Sequence, residues 1–155
     1  MALNGTSHPL KAAETVKFDD LDVIVQTLLR KATDARELAY APYSNFKVGA
    51  AVELEDGSTV TGCNIENASF TVGTCAERCA LFKAISEGKK RYRRIAVVAY
   101  QERGITSPCG ACRQLMNEFG DFEVYLSKPD LREVVRTSVH GLLPLGFHVN
   151  ADYTF

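Results

Sequence analysis

Cys75-Ala76-Glu77 and, further on, Pro108-Cys109-Gly110-Ala111-Cys112 constrain this 155-residue chain more than any other feature of it. They offer three thiols, spaced as one ligand plus a close pair, and a carboxylate two residues after the first. Both groups stand where a helix is expected to begin, so a metal held by all three sulfurs would tie two helix starts together. Three protein ligands with an open fourth position describe a catalytic zinc, whereas a structural zinc has all four positions filled by protein. The pattern predicts a metal-bound water with Glu77 beside it to move protons.

Each part has a plainer alternative. C-x-x-C alone fits a redox disulfide or half of a structural zinc site equally well, and Glu77 alone could be an acid favoured by a helix start. Cys75 read together with Glu77 shifts the balance to catalysis. A structural site would draw a fourth ligand from Cys63, Cys79, His8, His140 or His148. Cys79 shares a helix face with Cys75, but it points down the helix side, away from a metal beyond the helix end. Cys79 and Cys63 read as small buried residues, and the histidines have no ligand spacing. Three thiolates would leave Zn2+ with a net charge of about −1, which weakens it as a Lewis acid. Two helix N-termini supply positive potential. Arg78 and Arg113 are the candidates to draw further charge off the sulfurs.

Composition narrows the class. A formal net charge of −1 argues against a nucleic-acid binder. Lys89-Lys90-Arg91, with Arg93 and Arg94, reads as a solvated helix end and loop. No apolar run reaches the ~20 residues of a membrane span, and the N-terminus lacks an apolar leader core. Five cysteines without secretory context point to reduced thiols and a cytoplasmic protein.

Residues 1–18 show no period and read as a flexible arm, with one domain over 19–155. Leu21, Ile24, Val25, Leu28, Leu29, Ala32 and Ala35 recur at helical steps, and Pro42 ends that helix. Strands follow at 46–54 and 59–64, joined by the hairpin signal Asp56-Gly57. A helix spans 75–87, stopped by Gly88, and another spans 109–119, closed by Gly120. The apolar run 95–100 reads as a strand buried on both faces. Short strands at 124–126 and 131–135 and a helix capped by Ser138 complete the chain. This order predicts an α/β fold: a three-layer α/β/α sandwich on a mixed sheet of about five strands.

C-A-E followed by P-C-x-x-C resembles the zinc-dependent nucleoside and nucleotide deaminase superfamily, whose chemistry is known in outline. Members acting on nucleic acids or deoxycytidylate usually carry His at the place of Cys75, so the three-cysteine form resembles the small homotetrameric cytidine deaminases. The likeness extends through Tyr43–Ala51, Gly62–Ala68, Ser107–Gln114 and Leu142-Leu143-Pro144, roughly residues 20 to 147. It implies one Zn2+ per subunit on Cys75, Cys109 and Cys112, and Glu77 as the proton carrier. It implies that Phe46 packs on the pyrimidine, that Asn64 and Glu66 hold ribose hydroxyls, and that the Ala76 backbone meets the base. Ala68 and Phe70 would lie near the 5′ end of a nucleoside in a neighbouring subunit, and Phe147 would close another subunit's pocket. Asn64 and Glu66 suit that role: residues two apart on an extended chain face one way, and together they donate to and accept from hydroxyls. The implied reaction is hydrolytic deamination of cytidine and 2′-deoxycytidine. The alternative is a deaminase of a modified cytosine nucleoside of the antibiotic type.

Overall fold

β2 (Val48–Leu54) is buried at every position, as a strand covered on both faces must be. It runs antiparallel to β3 (Thr59–Cys63) on one side and to β4 (Tyr92–Ala99) on the other. β4 is parallel to β5 (Glu123–Ser127), and β5 is antiparallel to β6 (Glu133–Ser138). A parallel pair needs a crossover, and α3 (Gly110–Asn117) supplies it. The structure, a computed structural model, describes residues 13–149.

Six strands stand in the order β1-β6-β5-β4-β2-β3, one more than expected. The addition is β1 (Glu14–Lys17), which pairs antiparallel with β6. It lies inside the stretch read as a flexible arm, so that expectation is corrected for residues 14–17. An exposed edge strand of four residues is held by backbone hydrogen bonds and leaves no hydrophobic period to read. Residues 1–12 of the expected arm lie outside the described residues.

Alternation along the central strands assigns the layers. Ala51, Ala96 and Val98 face α1 (Val23–Glu37), which buries Val25, Leu28, Leu29 and Ala32 against them. Ala50, Val52, Ile95 and Val97 face the opposite layer, where α2 (Ala76–Ser86) buries Ala80, Leu81 and Ala84 and α3 buries Met116. The expected three layers are present.

α1 starts where Asp22 Oδ1 accepts from the backbone N–H groups of Ile24 and Val25, at 3.0 and 2.9 Å. It stops at Glu37, short of Pro42, because Tyr40 leaves the helix to pair with Ile65: Tyr40 N donates to Asn64 O at 3.1 Å and Glu66 N to Tyr40 O at 2.8 Å. The basic run is also corrected, since Arg93 and Arg94 belong to β4. Arg94 is ion-paired with Asp22, Glu53 and Glu123 at 3.3, 3.3 and 3.4 Å. Cys63 and Cys79, expected to be buried, are half-buried.

One contact sets the height of α2 over the sheet. A Cβ on Gly62 of β3 would lie 2.4 Å from Ala80 N and 2.8 Å from Ala76 O, so the helix rests directly on strand backbone. Gly62→Ala should displace α2 and lower stability by on the order of 2–4 kcal/mol. Chemical denaturation checks this, and an unchanged unfolding midpoint would refute the close contact.

Candidate active site

Cys75 and Cys109 are the N-cap residues of α2 and α3, both with extended backbone. Neither side chain caps its helix, which leaves both sulfurs free to point off the helix start. Cys112, buried on the first turn of α3, completes the group. The Sγ atoms of Cys75 and Cys109 are 3.8 Å apart, those of Cys109 and Cys112 are 3.6 Å apart, and all three lie within 4.8 Å of one another. Zinc–thiolate bonds of about 2.3 Å in a tetrahedron place sulfurs about 3.8 Å apart. The donor set therefore fits a zinc ion and leaves one side for water or substrate. Among the described residues, this is the one group of three or more His, Cys, Asp or Glu that could hold a metal. His140 faces Asp121 and His148 faces Asn117, and His8 lies outside the described residues.

Charge at the cluster is managed unevenly by the two arginines. Arg78 Nη2 stands 3.9 Å from Cys75 Sγ and also donates to Gly73 O at 3.4 Å. The Cys75 thiol is lowered to about 5, first by its hydrogen bond with Cys112 and then, against burial, by Arg78. Cys112 is raised by that same hydrogen bond and by burial. The expectation for Arg113 is corrected. Its guanidinium donates to Pro108 O, Leu142 O and Ser107 Oγ, at 2.7, 3.0 and 2.9 Å. It braces the loop before α3 against the end of α4 (Val139–Leu142), and its hydrogen bonds avoid the sulfurs.

Glu77 is 4% exposed. Its carboxyl is pushed up, first by burial, with the Cys75 charge adding to the effect. It opens with Cys75 and Cys109 onto a cavity of about 480 Å³, whose apolar wall includes Phe46, Val48 and Val97. Asn64, Glu66 and Phe70 line the same cavity, and the Phe70 ring meets Tyr43 edge-on, with centroids 6.2 Å apart. Ala76 is fully buried at the first position of α2. Ala68 and Phe147 are exposed and outside the lining. Backbone contacts hold Phe147 in place: its carbonyl accepts from Gln114 Nε2 at 2.9 Å and Asn117 Nδ2 at 3.3 Å.

Two polar residues expected to face a ligand also carry structure. Asn64 Oδ1 accepts from Val48 N and Asn64 Nδ2 donates to Phe46 O, both at 2.8 Å. Glu66 accepts from Tyr43 N at 2.9 Å, from Ser44 N at 3.3 Å and from Ser44 Oγ. Ser44, first of these partners, holds the Glu66 carboxyl below its usual range. Sequence reasoning gave Ser44 no role: it stands in the Tyr43–Ala51 stretch of the family likeness, but nothing local marks a side chain whose partner lies 22 residues away. It also missed Thr106, a buried hydroxyl on the pocket wall without a hydrogen-bond partner in the structure, which no motif marks.

Residues 23–128 match the family model for the cytidine and deoxycytidylate deaminase zinc-binding region. The chain belongs to that family. A cytidine deaminase from Sporosarcina psychrophila is 50% identical over 127 residues, covering 79% of this chain and 90% of that protein. One from Halalkalibacterium halodurans is 51% identical over 126 residues, covering 79% and 92%. The crystal structure of a cytidine deaminase from Burkholderia pseudomallei superposes with a TM-score of 0.74 at 49% identity, over 78% of this chain and 97% of that one. A blasticidin-S deaminase from Bacillus cereus is a more distant relative, 29% identical over 130 residues. Family and sulfur geometry agree on zinc.

Removing one sulfur tests the ligand set. Cys109→Ala, purified beside the unaltered protein, should hold under about a tenth of an equivalent of zinc where the latter holds about one. Metal analysis by mass spectrometry checks this, and full zinc content in the variant would exclude Cys109 as a ligand.

Proposed function

We propose that this protein hydrolyses cytidine and 2′-deoxycytidine to uridine and 2′-deoxyuridine with release of ammonia. One observation carries the proposal: a buried carboxyl and a three-sulfur cluster open together onto one pocket that also carries Asn64 and Glu66.

Zinc, when bound by Cys75, Cys109 and Cys112, supplies the Lewis acidity that makes water a nucleophile near neutral pH. Everything else falls to the chain. Glu77 accepts a proton from the attacking water and delivers it to N3 of the pyrimidine, which leaves C4 electron-poor. The water oxygen bonds to C4, its second proton goes through Glu77 to the amino group, and the C4–N bond breaks to release ammonia. Phe46 supplies an apolar face for the ring, and the Ala76 backbone at the start of α2 meets the base.

The sugar side has capacity left for a hydroxyl. A carboxylate has about four lone-pair sites, and three hydrogen bonds occupy Glu66. Asn64 retains one N–H and one lone pair beyond its two backbone bonds. Arg78 is the one cation among the described lining residues, and it stands at Cys75. The described lining of this chain therefore offers a 5′-phosphate no cation beyond the one engaged at Cys75, which favours a nucleoside over deoxycytidylate.

Arg78 draws charge from the sulfurs in this scheme, and Arg113 supports them through the loop it braces. Ala68 and Phe70 reach the 5′ end of a nucleoside held by a neighbouring subunit, and Phe147 closes another subunit's pocket, in a homotetramer with shared sites. The 69% exposure of Phe147 and the neighbouring exposed Leu145 and Val149 support that arrangement. Among the described residues no helix is long and apolar enough to cross a membrane, and free thiols around a metal suit the reducing cytoplasm.

Loss of cytidine absorbance on incubation with the protein, abolished by a chelator, is the expected result. Glu77→Gln should keep its zinc and its affinity for uridine while turnover falls by about 10³-fold or more. Turnover within tenfold of the unaltered enzyme would remove Glu77 from the mechanism.

A further inference from the structure

The turn that carries Phe46 is held by the side chains proposed to face the sugar. Glu66 receives the N–H groups of Tyr43 and Ser44 at one end of the turn. At the other end, Asn64 grips Phe46 O and Val48 N. Between these two grips stands Asn45, in the left-handed region at φ 55°, a conformation Asn tolerates better than most residues.

Ser44 joins the two ends. Its hydroxyl donates to Glu66 Oε1, and its oxygen accepts the Phe46 N–H at 3.0 Å. A hydroxyl can do both at once, because it has one donor and two lone pairs. The sugar-facing carboxylate and the ring-facing aromatic are thus linked through a single side chain that lines the same cavity.

We propose that Ser44 is a positioning residue, which aims the Glu66 carboxylate at the sugar and sets Phe46 against the base. The inference rests on the reading that Glu66 faces a nucleoside sugar. Without the Ser44 hydroxyl, Glu66 keeps two backbone donors but loses the one that orients Oε1, and the Phe46 N–H loses its acceptor. The damage falls on binding, because neither residue exchanges protons with the reacting atoms.

A double-mutant cycle on the full-length, zinc-loaded protein tests this, with steady-state kinetics on cytidine and calorimetric titration with uridine. Ser44→Ala should raise KM for cytidine and Kd for uridine by about tenfold, close to 1.4 kcal/mol, with kcat within about threefold. Ser44→Thr keeps the hydroxyl and should restore both constants to within about threefold. In a Glu66→Ala background the same alanine change should add only about threefold, the part that acts through the Phe46 N–H, since the carboxylate it aims is gone. The proposal is overturned if the two substitutions multiply independently. It is equally overturned if Ser44→Ala lowers only the unfolding temperature, or if threonine fails to restore binding. Should the alanine variant not fold, the threonine variant decides, with near-normal binding upholding the role and a tenfold loss ending it. An unaltered protein that neither consumes cytidine nor binds uridine would instead overturn the functional reading on which the role of Ser44 rests.

Discussion

Three thiols within 4.8 Å of one another are poor company once they ionise, and the site depends on what offsets their repulsion. Two helix N-termini end at the cluster, and each adds partial positive charge and free N–H groups. The positions of α2 and α3 are therefore electrostatic requirements as much as packing outcomes. The close rest of α2 on Gly62 and the Arg113 brace before α3 hold the two helix ends where that compensation works. Arg78 adds a full charge beside Cys75. A metal dication is the remaining member of the balance.

Features with a strong local cause were legible in the sequence. The hairpin of β2 and β3, the starts of α2 and α3, and the Ser138 cap all follow from turn chemistry, caps or period. Ser138 Oγ does accept from Gly141 N at 3.1 Å. What could not be read depends on partners distant in sequence. β1 exists because β6 offers an edge, and α1 ends early because Tyr40 is claimed by Ile65. Leu131, expected to open a strand, sits instead at φ 53° in the turn before β6.

The site divides in the same way. Cys75, Cys109, Cys112 and Glu77 announce themselves by spacing, because metal ligation at helix starts imposes a short-range pattern. Arg113 was misassigned because proximity along the chain does not say where a long side chain goes; its partner Leu142 lies on another element. Asn64 and Glu66 were legible as candidates to meet a ligand and illegible as braces, since the partners they brace lie 16 to 23 residues away. Polar groups at a pocket rim that also hold backbone in place are already oriented before any ligand arrives, which reduces the ordering cost of binding.

The sulfur pair Cys75 and Cys109 bridges 34 residues of chain, including all of β4. A metal across that span acts as a removable cross-link, closing a loop that the unfolded chain would otherwise leave open. Foldedness is then tied to zinc supply by mass action. When zinc is scarce, the number of intact molecules would fall along with the activity of each, so metal availability would set abundance as well as rate.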